Sequence, residues 1–258
     1  ARGDTMSHSR YLNKHRLKPK NDYARIVFWG DVHIGAPTCL EEQARAKLDY
    51  CLKSNVPIVI MGDVIECGLT GSVGDSVYMQ RLNPQQQMDT AVEWLTPLAQ
   101  KGLILGMHAG NHEARITKAT SIDVTKLMAR QLGVPYLGSA CWHLFYVGKE
   151  RYTLYTLHGA SGSRFIHTKL KAVTDIAHYF PTADIVAHGH VHDLASVAIE
   201  RQAVYGTKVV YKKQYCLLTG HYLGYKESYA EMKGMPPAKV GSPEVKLYDN
   251  ERDVHIRT

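Results

Sequence analysis

The chain of 258 residues has no long hydrophobic run and few cysteines. No apolar stretch approaches the roughly 20 residues that cross a bilayer, and no apolar segment near the start has the form of a signal peptide. The five cysteines are odd in number and lack C-x-x-C spacing, which argues against a disulfide framework. We therefore expect reduced thiols and a cytoplasmic protein without a membrane partner, either cellular or virus-encoded and acting in a host cytoplasm.

Internal repeats and low-complexity tracts are also absent, and 45% of the residues are apolar. A chain of this length can bury a sizeable core as one α/β unit. The formal net charge is +7, which favours an anionic substrate without naming it. Six basic residues and one acidic residue lie in the first 20 positions. We therefore predict a flexible basic tail over residues 1–22 and a single domain over residues 23–258.

Five short apolar runs along the chain are each followed by polar residues with metal-binding chemistry. Short, partly β-branched runs that end at a turn are typical of buried strands. Because open α/β sheets gather their sites beyond the carboxyl ends of strands, we expect the five polar segments to meet. The segments are Gly30-Asp31-Val32-His33, Gly62-Asp63-Val64-Ile65-Glu66, Gly110-Asn111-His112-Glu113, His158-Gly159 and Gly189-His190-Val191-His192.

Segments with helical periodicity separate these runs. Apolar residues recur every three or four positions over residues 40–53, 84–100, 122–132 and 165–180, as on the buried face of a helix. The alternation of strands and helices predicts a mixed sheet flanked by helices. A second sheet is predicted from residues 141–157 and from residue 195 onward, where β-branched and tyrosine-rich stretches recur.

The five segments together resemble the calcineurin-like metallophosphoesterase superfamily, whose pattern is D-x-H, G-D-x-x-[DE], G-N-H-[DE], H-G and G-H-x-H. The resemblance implies an α/β fold, a four-layer sandwich of two mixed β-sheets flanked by helices. It also implies two adjacent divalent metal ions bridged by Asp63. One ion would be held by Asp31, His33, Asp63 and His192, and the other by Asp63, Asn111, His158 and His190.

The chemistry gives independent support for such a centre. Two divalent ions about 3.5–4 Å apart can activate a water and clamp the attacking and leaving oxygens of a displacement at phosphorus. Oxygen and imidazole donors without cysteine favour borderline ions; we expect manganese first, with iron, zinc or nickel as alternatives. A single histidine is more often a packing residue than a ligand, and the chain has 14. The completeness of the pattern therefore carries the interpretation.

His112 stands beside the predicted ligands. The resemblance implies that it is not a ligand but protonates the leaving oxygen or stabilises charge on the phosphoryl group, a role that suits the pKa of histidine. Glu66 occupies the position from which a shorter acidic residue commonly orients this histidine. We predict His112 and Glu66 as catalytic residues. His108 and His188 are candidates for orienting a ligand, and the remaining histidines, His221 among them, are interpreted as surface or packing residues.

Residues near the motifs bear on the substrate. The Ser/Thr phosphatase branch has arginine where this chain has Cys67 and Ala109, and those arginines clamp a doubly charged monoester. The opening D-x-H-x-G, which starts at Asp31, resembles the Mre11/SbcD nuclease branch. That branch usually has histidine in place of Glu66 and adds a DNA-capping domain. The compact layout is similar to single-domain metallophosphoesterases of phage genomes.

These observations predict a metal-dependent phosphoric ester hydrolase that cleaves phosphodiester bonds of nucleic acid or nucleotides, as a nuclease or phosphodiesterase. A phosphomonoesterase or cyclic-nucleotide phosphodiesterase is the alternative, followed by a non-catalytic binding module on the same fold. Tyrosines interleaved with lysines over residues 205–229 suit single-stranded DNA or RNA, whose bases stack on aromatic rings. Half-buried strands with tyrosine edges are the competing interpretation, and the oligomeric state is left open.

Overall fold

The computed structural model describes residues 12–72 and 78–258. Within these residues the strands are β1 (Leu12–Leu17), β2 (Tyr23–Trp29), β3 (Ile58–Ile60), β4 (Ile104–His108), β5 (Tyr136–Gly138), β6 (Ala140–Val147), β7 (Glu150–Leu157), β8 (Ile185–His188), β9 (Leu194–Tyr205), β10 (Lys208–Thr219), β11 (Glu244–Tyr248) and β12 (Val254–Arg257). The helices are α1 (Glu41–Ser54), α2 (Pro84–Gln100), α3 (Glu113–Thr120), α4 (Val124–Leu132), α5 (Ile166–Tyr179) and α6 (Tyr229–Met232).

The strands form two mixed sheets. The first has the order β12-β11-β2-β3-β4-β5, in which β2 to β5 run parallel and β11 is antiparallel to both of its neighbours. The second has the order β1-β6-β7-β8-β10-β9, and its central strands β7, β8 and β10 are parallel. Two mixed β-sheets flanked by helices confirm the predicted fold class.

Alternation along the strands produces four layers. Ile26 and Phe28 of β2 belong to the core between the two sheets, whereas Val27 and Trp29 belong to the core under α1, α2 and α4. This division follows from the two-residue period of a strand, which sends successive side chains to opposite faces. A third core packs Val173 of α5 against the outer face of the second sheet. The order is therefore helices, sheet, sheet, helix.

The predicted helices match the structure to within two residues at each end. α2 begins where the sequence places it because Asn83 and Gln86 form a capping box and proline occupies the first turn. Helix α3, which starts inside a predicted motif, was not anticipated. No helix in the described part of the chain combines the length and apolar character needed to cross a bilayer.

Two predictions about the periphery need correction. The flexible tail does not extend over residues 12–17, which form β1 and pair with β6. Lys14 and Arg16 alternate with less exposed residues along this strand, so the basic charge lies on its solvated face, a pattern that charge counting alone misses. Residues 1–11, with Arg2 and Arg10, lie outside the described residues. At the other end, β11 and β12 join the first sheet rather than the second.

Tyr152 connects the two sheets. It lies on β7, is fully buried, and its hydroxyl is 2.8, 3.1 and 3.0 Å from the carbonyl oxygens of Tyr248, Glu251 and Asp253 around the turn between β11 and β12. One hydroxyl proton is therefore shared among three carbonyl acceptors, of which two belong to half-buried residues and that of Glu251 to an exposed one.

We predict that Tyr152→Phe lowers the free energy of unfolding by about 0.5–1.5 kcal/mol, because it removes a buried donor whose hydrogen bonds hold the turn between β11 and β12. Urea denaturation measures the change. Tyr211→Phe is the matched control, since Tyr211 is 68% exposed. Equal stability of Tyr152→Phe and the unmodified protein would show that these carbonyl groups do not depend on the hydroxyl.

Candidate metal centre

The predicted ligands follow strands whose carboxyl ends meet. Asp31 follows β2, Asp63 follows β3 and Asn111 follows β4, and these three strands are parallel neighbours in the first sheet. His158 follows β7 and His190 follows β8, which are parallel neighbours in the second sheet. All seven predicted ligands therefore approach one another where the two sheets present the same edge.

One group of side chains contains Asp31, His33, Asp63 and His192, each of which offers a ligand atom within 4.8 Å of the others. The Nε2 atoms of His33 and His192 are 3.0 Å apart, and Nε2 of His192 is 3.3 Å from Oδ1 of Asp31. This is the set that the resemblance assigns to one ion.

A second group contains Asp63, His158 and His190, again with ligand atoms within 4.8 Å of one another. Asn111 adds its side-chain oxygen, 2.9 Å from Nε2 of His158 and 2.6 Å from Nδ1 of His190. This is the set that the resemblance assigns to the other ion. Asp63 belongs to both groups, as a bridging carboxylate would.

One carboxylate oxygen of Asp63 is not satisfied by hydrogen bonds within the described residues. Its Oδ1 accepts the backbone N–H of His112 at 2.8 Å, but its buried Oδ2 has no partner with hydrogen-bond geometry among the described residues. The Nε2 atoms of His158, His112 and His33 lie 3.3, 3.9 and 4.0 Å from Oδ2. A buried polar atom left unsatisfied costs about 1–3 kcal/mol. Divalent cations between this oxygen and the imidazoles would satisfy it, so the residues present fit a metal centre.

The electrostatics of Asp63 and His158 are those of an ion pair. Burial alone raises the pKa of Asp63, but the charges of His158 and His112 lower it well below its usual range. Burial lowers the pKa of His158, but Asp63 raises it to about 10. Because imidazole binds a metal only in its neutral form, a cation that takes both side chains as ligands must release the proton of His158.

The backbone at the centre is strained. Five predicted ligands have left-handed conformations, which cost of order 1–3 kcal/mol each for residues other than glycine and cluster at functional sites. They are Asp31 (φ 49°), His33 (φ 56°), Asp63 (φ 47°), His190 (φ 65°) and His192 (φ 48°).

Glu113 holds one of these strained loops in place. Its carboxylate accepts backbone N–H groups of Asp63, Val64, Ile65 and Gly110 at 2.7–3.2 Å. Gly110 permits this approach because a Cβ atom there would lie 2.6 Å from Oε2 of Glu113 and 2.0 Å from Oδ1 of Asp63. The sequence shows Glu113 only as the last residue of the Gly-Asn-His-Glu motif and assigns it no role. In the structure its carboxylate joins the loops after β3 and β4.

Further contacts orient the imidazole ligands. Nδ1 of His158 donates to the carbonyl oxygen of Met61 at 2.8 Å, and Nδ1 of His33 lies 2.9 Å from Oε2 of Glu66. When Nδ1 carries the proton, Nε2 presents its lone pair, and such partners are typical of metal-binding histidines. Glu66, predicted to orient His112, thus also orients His33.

His112 lies beside Asp63, and Arg115 lies beside His112. Its Nδ1 is 3.0 Å from the carbonyl oxygen and 3.1 Å from Oε2 of Glu66. Arg115, three residues further on α3, donates to Oε1 of Glu66 at 3.0 Å and lies 3.1 Å from Nε2 of His112.

These neighbours shift the pKa of His112 in opposite directions. Burial disfavours its charged form, but Asp63 and Glu66 raise its pKa above the ordinary value, and Arg115 opposes them. The guanidinium can donate to Nε2 only while His112 is neutral, so protonation turns that contact into a repulsion. Arg115 therefore favours release of the proton.

Of the remaining histidines, His221 approaches the centre. It follows β10 as the ligands follow their strands, and its ring stacks on His192 with centroids 5.4 Å apart. The apolar run over residues 216–218 before Gly220-His221 was the available signal. His108 instead contacts Gly138 and Thr156.

Comparisons with known proteins give distant structural likenesses. No protein-family model and no curated protein sequence matches the chain. Similar solved structures include a predicted phosphoesterase from Streptococcus pneumoniae (14% identity, 92% of this chain and 90% of that one, TM-score 0.38) and a metallophosphoesterase from Sphaerobacter thermophilus (13%, 90% and 87%, TM-score 0.39). Another is Vps29 complexed with Zn²⁺ from Entamoeba histolytica (13%, 90% and 97%, TM-score 0.37). The candidate metal centre is recognised from its own side chains.

We predict that the protein binds two divalent ions per chain and that Asp63→Asn weakens both sites, because the neutral amide replaces a carboxylate common to both groups. Metal analysis after dialysis against manganese measures the stoichiometry. Asp175→Asn is the control, since Asp175 is an exposed residue of α5. Two ions retained by Asp63→Asn at unchanged affinity would remove Asp63 from the bridging position.

Proposed function

We propose that this chain is a metal-dependent phosphoesterase of the calcineurin-like type that hydrolyses phosphodiester bonds of nucleotides or nucleic acid. The Oδ2 atom of Asp63 carries the proposal, because it is buried where two groups of histidine and aspartate side chains meet and has no hydrogen-bond partner among the described residues. A carboxylate oxygen in that position suits two neighbouring cations better than any contact the protein itself offers it. The five sequence motifs supply each of the side chains involved.

Divalent metal ions suit the donor set of the two groups. Asp31, His33, Asp63 and His192 would hold one ion, and Asp63, Asn111, His158 and His190 the other. Carboxylate, amide and imidazole donors are compatible with manganese, iron, zinc or nickel, and we propose manganese. When bound, two such ions supply an activated water and charge neutralisation at phosphorus.

The protein's own groups around a bound phosphoryl would then be His112 and Arg115. Both line the cavity above the centre. The raised pKa of His112 favours the protonated ring, which can donate a proton to a leaving oxygen. Proton donation of this kind increases the rate by about 10²–10⁴. Glu66 contacts Nδ1 of His112 and fixes the ring, so we propose it as a positioning residue.

The charges in the cavity favour a diester over a monoester. A monoester carries two negative charges and is commonly clamped by two arginines. Here Arg115 is already bound to Glu66 at 3.0 Å, so much of its charge is compensated. Arg164 also lines the cavity but is exposed. Lys169, the third cation in the lining, pairs with Asp193 at 3.2 Å. Cations that are already paired with carboxylates suit the single negative charge of a diester, whereas the exposed Arg164 keeps a monoesterase as the second candidate.

The lysines of β10 are less available to nucleic acid than the sequence suggests. Lys212 pairs with Asp184 at 3.2 Å and donates to the carbonyl oxygen of Thr182 at 2.9 Å. Lys208 and Lys213 are exposed, but no described residue of β10 lines the cavity. Single-stranded DNA or RNA as a partner stays a proposal, with these two lysines as its test.

We predict that His112→Ala lowers kcat on a diester by about 10²–10⁴ while metal content stays largely intact, because the proton donor is lost and the ligands remain. The loss should shrink for a diester with a very acidic leaving group. Steady-state kinetics on an alkyl and a nitrophenyl ester, with metal analysis, measure both effects. Loss of metal from His112→Ala would instead make His112 a ligand.

A second prediction tests nucleic acid. If the exposed lysines of β10 contact a polynucleotide, replacement of Lys208 and Lys213 by alanine should weaken oligonucleotide cleavage and flatten its dependence on salt, by a slope of about 0.7 per lost phosphate contact on single strands. Hydrolysis of a small chromogenic diester should not change, because both residues lie outside the cavity. An equal response of both substrates would contradict a polynucleotide contact on this strand.

A further inference from the structure

The cavity above the candidate metal centre is lined by two unlike sets of residues. Its volume is about 400 Å³, and part of its lining is formed by His112 and Arg115, which lie 3.1 Å apart beside the centre. A second set, here termed the apolar wall, presents mostly apolar and aromatic groups. The apolar wall consists of Leu223, Tyr225, Tyr229, Met235, Pro236 and Val240.

Hydrogen bonds fix the apolar wall to the loop that carries Asp31. The backbone N–H of Tyr222 donates to the carbonyl oxygen of Asp31 at 2.9 Å, and that of Gly224 donates to Thr38 at 2.8 Å. Across the wall, the hydroxyl of Tyr225 donates to the carbonyl oxygen of Met235 at 2.8 Å. The wall is therefore preformed, and a ligand that binds there does not have to order it.

The chemistry of the apolar wall indicates a flat, aromatic ligand group. A phosphoryl group held at the centre beside Arg115 directs its ester substituent toward the rest of the cavity. There the rings of Tyr225 and Tyr229 and the side chain of Met235 offer stacking and thioether contacts. A volume of about 400 Å³ lies near the lower end of the roughly 300–1,000 Å³ of small-molecule sites, which suits one nucleoside better than a long acyl chain.

His221 supplies a second, independent observation at the junction between the apolar wall and the centre. Its Nδ1 accepts the backbone N–H of Leu223 at 3.1 Å, so its proton is on Nε2. That atom has no hydrogen-bond partner among the described residues, although His221 is only 6% exposed and lines the cavity. Buried donors in native proteins nearly always have an acceptor, and an oxygen of a bound ligand would provide one.

We propose that this cavity binds the nucleoside part of a compact nucleotide diester, with the base against the apolar wall and an oxygen of the nucleoside or ester accepting from His221. This assignment rests on the proposed function, because the centre must hold the phosphoryl group. It selects a single nucleotide unit as the recognised element, and the specificity resides in residues 221–240 rather than in the lysines of β10.

The test compares two diesters that share a leaving group and differ only in the nucleoside, thymidine 5′-(4-nitrophenyl) phosphate and methyl 4-nitrophenyl phosphate. Stacking of one base contributes about 5- to 150-fold, so kcat/KM of the manganese-loaded protein should favour the thymidine ester by at least about fivefold. Tyr225→Ala and Tyr229→Ala should each reduce this ratio several-fold. Tyr225→Phe keeps the ring but loses the hydrogen bond to Met235, so its ratio should lie between those of the unmodified protein and Tyr225→Ala.

Tyr211→Ala is the matched control, because Tyr211 is exposed on β10 outside the cavity, and it should leave the ratio unchanged. Similar kcat/KM values for the two esters, or a ratio insensitive to both alanine variants, would overturn the nucleoside assignment while leaving the phosphodiesterase intact. If neither ester is hydrolysed, the proposed function fails, and calorimetry with thymidine monophosphate still decides. Binding weakened by Tyr225→Ala supports the nucleoside site, and no binding overturns it.

Discussion

The carboxylate of Glu113 is the interaction on which the candidate centre depends. Burial removes it from water, and a buried charge is tolerated only with several donors around it. Four backbone N–H groups provide them, three from the loop after β3 and one from Gly110. Burial and the neighbouring Asp63 nevertheless raise the pKa of Glu113 to about 7. Cations bound at Asp63 would offset the repulsion between the Asp63 and Glu113 carboxylates. The hydrogen bonds of Glu113 and the proposed metal ions therefore stabilise each other.

The same loops tie the two sheets together. His158 extends from the second sheet, but its Nδ1 donates to Met61 at the end of β3 in the first. Met61 itself packs in the core between the sheets. The position of an imidazole relative to Asp63 is therefore set by the packing of whole sheets, which hardly deform. This rigidity explains how left-handed backbone at Asp31 and Asp63 persists at a cost of order 1–3 kcal/mol per residue.

Much of this arrangement was visible in the sequence because it depends on local patterns. Apolar runs that end in Gly-Asp or Gly-His mark strand ends, and parallel strands bring those ends to one edge. The features that were not predicted depend on spatial neighbours that the sequence does not show. β1 became a strand because β6 offers it an edge, and Arg115 reaches Glu66 only because α3 begins at Glu113. His221 was interpreted as a packing residue because the sequence does not show that β10 lies beside β8, from which it is separated along the chain.

His221 links the apolar wall to the candidate metal centre. Its ring stacks on His192, its carbonyl oxygen accepts from Gly241, and the next residue, Tyr222, donates to the carbonyl oxygen of Asp31. The apolar wall and the loop that carries two predicted ligands are thus one hydrogen-bonded unit. A change in the wall that moved residue 222 would also move Asp31. Gly224 is tied to the same loop through Thr38. Substrate selection can therefore change most freely beyond Gly224, for instance at Tyr225, whose hydroxyl donates within the wall, to Met235.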